Sequence, residues 1–153
     1  VRIAALALLA LAASGCAWTG MMFGPPRLAS CPGPIPSTEH LPAGDFRVQD
    51  RVRIRGGRVD VGYEVVAEKH GDRLVLVAFN AFGAKAFSVT QEGLAVTSRS
   101  YLGPALPVPP ENVLRDLYAG GFPRPDAPPR VEVARPGCGY TATLVTVSRR
   151  PLP

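Results

Sequence analysis

The sequence predicts a mainly β fold: a curved antiparallel sheet forming an unclosed half-barrel, with one short helix between the fifth and sixth strands. Three observations predict it. Residues 43 to 103 contain no proline, although 17 of the 153 residues are proline, and proline cannot donate to a sheet ladder. Within that window apolar residues recur with a period of two. Gly-containing turns punctuate the runs at the spacing of hairpins.

The elements follow in order. Phe46, Val48, Val52 and Ile54 share one strand face, and Arg47, Gln49, Arg51, Arg53 and Arg55 share the other. Gly56-Gly57 is a two-residue hairpin signal. Folding there pairs Ile54 with Val59, Val52 with Val61, Val48 with Val65 and Phe46 with Ala67, and it sets Arg53 opposite Asp60. Asp50 is the one polar residue on the inward face. The same register places it opposite Tyr63, so it is either bonded to that hydroxyl or faces a ligand.

Lys69-His70-Gly71-Asp72 makes the next turn. Arg73 to Phe79 is apolar on both faces, and such a strand is covered on both. Lys85–Thr90 and Leu94–Tyr101 form a hairpin around Gln91-Glu92-Gly93, which completes a five-stranded meander. Pro110 is a natural first helical residue. Val113, Leu114, Leu117 and Tyr118 then give one apolar stripe, and Gly120-Gly121 ends the helix. This helix is the expected cover for the outer side of the third strand. Arg130–Arg135 and Tyr140–Ser148 form a last hairpin, and residues 149–153 read as a frayed tail.

The N-terminus reads as an address. Arg2 precedes an unbroken apolar run, Ile3 to Ala13. As a helix that run covers roughly 16 Å, half of a bilayer core of ~30 Å. A signal-peptide core fits it better than a membrane span. The small residues before Cys16, Ala13-Ser14-Gly15-Cys16, resemble the lipobox of bacterial lipoproteins. That resemblance implies a signal peptide over residues 1–15 and acylation of Cys16, with palmitate-type chains holding the protein in a membrane. Ala17 in place of Asp leans toward the outer membrane. Residues 16–43 then read as the lipidated Cys and a Pro-rich tether, and residues 44–148 as a single β-rich domain.

With Cys16 acylated, Cys31 and Cys138 remain as an even pair in an oxidising compartment. They form either a disulfide or two buried thiols. Neither lies in a Cys-x-x-Cys pair, so zinc-ribbon and thioredoxin chemistries are unsupported.

Chemistry is sparse. His40 and His70 have no partner at metal-ligand spacing. The sequence carries no nucleophile elbow and no phosphate-cradling glycine loop. The expectation is a protein without cofactor, metal or enzymatic activity. Fifteen of the 17 basic residues are Arg and the formal net charge is +5. The envelope address argues against nucleic acid. Arg47, Arg51, Arg53 and Arg55 form a candidate face for anionic headgroups, or a solvated face paired with Asp60 and Glu64.

Leu74-Val-Leu-Val-Ala-Phe-Asn-Ala-Phe-Gly83, the strand Ala86-Phe87-Ser-Val, and Leu106-Pro-Val-Pro-Pro110 leading to Leu114-Arg-Asp-Leu117 carry a further resemblance. This stretch resembles a family of small bacterial lipoproteins of unknown function, some encoded beside aryl-polyene synthesis genes. The order of elements is similar to LolA/LolB-type lipoprotein-localisation domains, whose unclosed barrels hold acyl chains. The resemblance implies an outer-membrane lipoprotein binding an acyl chain or other apolar ligand, with lipid or lipoprotein as cargo. Val48, Val52, Ile54, Val61, Tyr63, Val65, Leu76 and Phe87 are the expected cavity lining. The alternative is a structural or assembly lipoprotein with a filled core, acting through protein partners; on either reading a monomer is expected.

Overall fold

The computed structural model describes residues 24–122 and 128–153. The expected signal peptide and Cys16 lie outside them. Seven antiparallel strands form one unclosed sheet: β1 (Phe46–Gly56), β2 (Val59–His70), β3 (Arg73–Phe79), β4 (Lys85–Glu92), β5 (Ala95–Ser100), β6 (Arg130–Arg135) and β7 (Tyr140–Pro151). Their order is β5-β4-β3-β2-β1-β7-β6. The last hairpin therefore returns to the free edge of the first strand. The helix α1 (Pro110–Asp116) and a π-helical turn, Leu117–Gly121, follow β5.

Alternation decides which face is inside. Val48, Val52, Ile54, Val65, Ala67, Leu74, Leu76, Ala78, Phe87 and Val89 are at most 2% exposed, and they form one core with Val113, Leu114 and Leu117. The helix thus covers the inner face of the sheet. This corrects its expected place outside β3, where Val75, Val77 and Phe79 remain half-buried. They are shielded instead by cross-strand neighbours, Val66 and Ser88 flanking Val77, as on any pleated, half-buried surface.

The β1–β2 register is also corrected. Ile54 pairs with Val61, Val52 with Tyr63, Asp50 with Val65 and Val48 with Ala67, while Gly56 pairs with Val59. The turn residues are Gly57 and Arg58, with Gly57 at φ +56°. A two-residue slip keeps every side chain on its face, so the face assignments survive. Gly56 serves another purpose: a Cβ there would lie 2.3 Å from the Gly139 carbonyl oxygen and 2.6 Å from Tyr140 Cβ.

Two expectations at the edges of the domain give way. The segment read as tether packs from Leu28 onward. Leu28 N donates to Pro107 O at 2.9 Å, Thr38 N to Gly93 O at 3.1 Å, and Cys31, Ser37, Thr38 and Leu41 are buried. Polar side chains of the domain fasten it: Asn112 bonds Cys31 N and Ala29 O, and Gln91 Nε2 donates to Pro36 O. At the other end, β7 continues through the expected tail, pairing Arg149 with Val48 and Pro151 with Phe46. Cys31 and Cys138 are joined by a disulfide.

Candidate functional site

The eight residues expected to line a cavity share the inner side of the sheet. Val48, Val52, Ile54, Val65, Leu76 and Phe87 are 0–1% exposed, Tyr63 is 4% exposed and Val61 is half-buried. These side chains abut one another and the helix in one core. The expected hollow is, in this state, a filled core. The reason is the strap: Val113, Leu114, Leu117 and Phe122 project into the concavity and complete the packing.

One position breaks the apolar interior. Asp50 is fully buried, and neither carboxylate oxygen makes a well-formed hydrogen bond; the Thr146 hydroxyl opposite it is a weak neighbour that offsets only part of the cost of burial. The Tyr63 hydroxyl is likewise buried and unpartnered, so the two do not bond each other as expected. Three irregularities meet at Asp50. The β1–β7 ladder shifts register between Gln49 and Asp50, so Gln49 faces Ser148 and Asp50 faces Thr146. Bulges of this kind re-aim side chains. The strap passes over Asp50 as a π turn, closed by Phe122 N donating to Leu117 O at 3.0 Å, a geometry frequent at functional sites. Gly121 allows the approach, because a Cβ on it would sit 2.7 Å from Asp50 Oδ2. Burial raises the Asp50 carboxyl above the ordinary carboxylate range; the Thr146 hydroxyl and the Arg149 charge offset this in part. Arg149 donates to Thr146 Oγ1 at 2.7 Å. Burial alone pushes the Tyr63 phenol up to about 12.

The other end of the strap is fastened. Arg135 Nε donates to Asp116 Oδ1 at 2.8 Å and Tyr140 to Asp116 Oδ2 at 3.0 Å. Asn112 holds the 29–31 segment, which the disulfide ties to β6–β7. Tyr118 Oη donates to Gln91 Oε1 at 2.9 Å and ties the π turn toward β4.

Residues 47–144 match a family described as protein of unknown function (DUF3261). The chain belongs to the DUF3261 family. No curated protein matches this DUF3261 chain. The matched stretch runs from β1 into β7, so it contains Asp50, the strap and the buried Asp116 cluster.

The outer face of this DUF3261 sheet carries the predicted arginines, but they are not equivalent. Arg47 pairs with Glu68 at 3.2 Å. Arg53 grips Asp60 through two bonds of 2.8 and 2.9 Å, and Arg55 reaches the same carboxylate at 3.5 Å. The Arg53 hydrogen bonds are the main cause of the lowered Asp60 carboxyl. Arg51 has no ion-pair partner among the described residues. A groove of about 420 Å³ opens beside it, lined in part by Arg51, Arg53, Arg55, Arg130, Gly62 and Val145. Arg130 and the groove were not visible to sequence reasoning, because they depend on β7 and β6 joining β1. Among the described residues no cluster of His, Cys, Asp and Glu could hold a metal ion. His40 lies beside Ser37 O, and His70 pairs with Asp45 at 3.2 Å.

Proposed function

We propose that this chain is an outer-membrane lipoprotein that takes up the apolar chain of an amphiphile, a lipid or an acylated protein, beneath its helical strap. The observation that supports this reading best is the unpartnered Asp50 carboxylate under the π turn. A buried acceptor without a donor costs about 1–3 kcal/mol, and a ligand whose head carries a hydroxyl or amide would satisfy it. An apolar chain following that head would lie along Val48, Val52, Val65 and Leu76. The strap is anchored by ionic bonds at the Asp116 end, and it covers the buried Asp50 carboxyl at the other. On this reading it opens at the Asp50 end, where an entering ligand head gives the buried carboxyl a partner. The Ala13-Ser14-Gly15-Cys16 motif supplies the membrane address.

A second reading keeps the core permanently filled and assigns the protein an assembly role through partners. It is favoured by the near-zero exposure of the inner residues.

Native mass spectrometry of the exported protein, paired with organic extraction, decides between them. The carrier reading expects a stoichiometric apolar adduct that is lost in Leu76→Glu or when an engineered disulfide locks Leu117 to Leu144. A bare protein mass at every expression level, with lipid supplied in excess, would overturn it in favour of the filled core.

A further inference from the structure

The groove opens on the outer face of the sheet, and its outward-facing side chains do not depend on whether the strap opens. Arg51 pairs with Val145 across β1–β7, and Val145 pairs with Arg130 across β7–β6. Paired residues point to the same side of a sheet, so the two arginines flank Val145 on the outer face. Adjacent strands are about 4.8 Å apart, which puts their backbones roughly 10 Å from each other. Two guanidinium groups on stems of that reach are long enough to meet on one tetrahedral anion. Neither has an ion-pair partner among the described residues. Glu64, opposite Arg51 on its other side, also lines the groove; its carboxylate accepts from Gln49 Nε2 and makes no ion pair with Arg51. Asp60 is spent on Arg53 and Arg55. Gly62, opposite Arg53, has no side chain to fill the floor.

The groove's far wall is Asn80 and Ala81, in the β3–β4 turn. The next residue, Phe82, is 94% exposed, the most exposed large apolar side chain among the described residues. The Asn80 carbonyl and side chain hold this turn rigid, accepting from Gly83 N at 2.9 Å and from Phe82 N and Ala84 N at 3.0 Å. An unpaired cationic pair beside a rigid, apolar aromatic tip matches one occupant: a phosphate headgroup still attached to its acyl chains in a bilayer surface. A free anion has no use for Phe82.

We propose that Arg51 and Arg130 bind the phosphate of an anionic membrane lipid while Phe82 enters the acyl boundary beside it. Guanidinium–phosphate bonds are charge-assisted and bidentate, and each basic residue near an anionic leaflet adds to the attraction.

The test uses the full chain in neutral detergent micelles, following arginine Nε–Hε resonances. Dihexanoyl phosphatidylglycerol is titrated against its chain-free headgroup, glycerophosphoglycerol, and against inorganic phosphate. The proposal expects the lipid to shift Arg51 and Arg130 first and to bind more tightly than either chain-free anion. Arg51→Gln/Arg130→Gln weakens it roughly tenfold or more, with an unchanged melting curve as the control for folding. Arg47→Gln/Arg150→Gln removes the same charge from the same face outside the groove and leaves affinity within about twofold. Phe82→Ser erases the advantage of lipid over glycerophosphoglycerol. Equal binding of inorganic phosphate, or equal losses in the two double variants, would overturn the proposal: the first marks a free-anion site, the second a diffuse basic surface.

Discussion

Tyr140 donates its phenolic hydrogen to Asp116 at 3.0 Å, on the carboxylate oxygen that Arg135 leaves free. The bond joins the helix to the final hairpin. Asp116 is fully buried, and burial lifts its carboxyl above the ordinary range despite both partners. Removing the centre of such a cluster strands a guanidinium and a phenol. Asp116→Ala is expected to cost about 3 kcal/mol, and Tyr140→Phe about 1 kcal/mol. Urea unfolding followed by circular dichroism measures both. Losses below half these values would show that the strap is fixed mainly by apolar packing.

The Cys31–Cys138 bridge spans 107 residues of chain. Chain-entropy reasoning gives a closed loop of that length about 4–5 kcal/mol. Cys31→Ser/Cys138→Ser is therefore expected to lower the urea midpoint sharply, with an unchanged dependence of stability on denaturant. Wild type kept in reductant should follow the variant. A midpoint insensitive to both would mean that Asn112 and Leu28 suffice to dock the 28–41 segment.

Asp50 makes stability depend on pH with a definite sign. Its folded-state carboxyl lies above the unfolded one, so the native protein binds the proton more tightly in the window between them. Stability is full below the ordinary carboxylate range and falls as pH rises through the raised value. Asp50→Asn removes that fall. The variant is expected to match wild type near pH 4 and to exceed it by about 1–3 kcal/mol at pH 7. Asp116 adds a slope of the same sign that both proteins keep. Parallel stability–pH curves for the two would remove Asp50 from this account.

Gly56→Ala tests the close approach of β1 to the β6–β7 turn. The new Cβ meets the Gly139 carbonyl oxygen at 2.3 Å, so backbone must move, at about 2 kcal/mol. Gly137→Ala, which meets nothing within 4 Å, is the control and should be close to neutral. Thermal melts of the pair give the answer directly.

Much of this architecture is written locally. Val48, Val52 and Ile54 against Arg47, Arg51 and Arg53 declare a strand and its faces, because a period of two leaves no other way to bury them. Pro110 and the Leu114–Leu117 spacing declare the helix. The β1–β2 register differs from the one its sequence suggests because two adjacent glycines have different reasons to be there. Gly57 turns the chain, while Gly56 clears space for Tyr140, a neighbour far away in sequence. The 28–43 segment looks like a tether because its prolines are real. What docks it, Asn112 and Gln91, sits on other elements and carries no local mark. Asp50 was visible as the lone inward polar residue, but the bulge and the π turn that leave it unpartnered arise only once β7 and the strap arrive. The pairing of Arg51 with Arg130 across Val145 is a product of strand order, which no periodicity encodes.

The central position of β1 has a consequence for how the protein is made. The first strand of the sheet needs two partners, and one of them, β7, is the last to be synthesised: Asp50 waits for Thr146, and Cys31 for Cys138. Contacts this distant in sequence slow folding. A chain still emerging from the ribosome can assemble the β1–β5 meander, but its inner face stays open along β1. The apolar floor closes only when the final hairpin emerges. Until then the protein is a client that must be kept from aggregating, and a truncation before β7 would leave it so permanently.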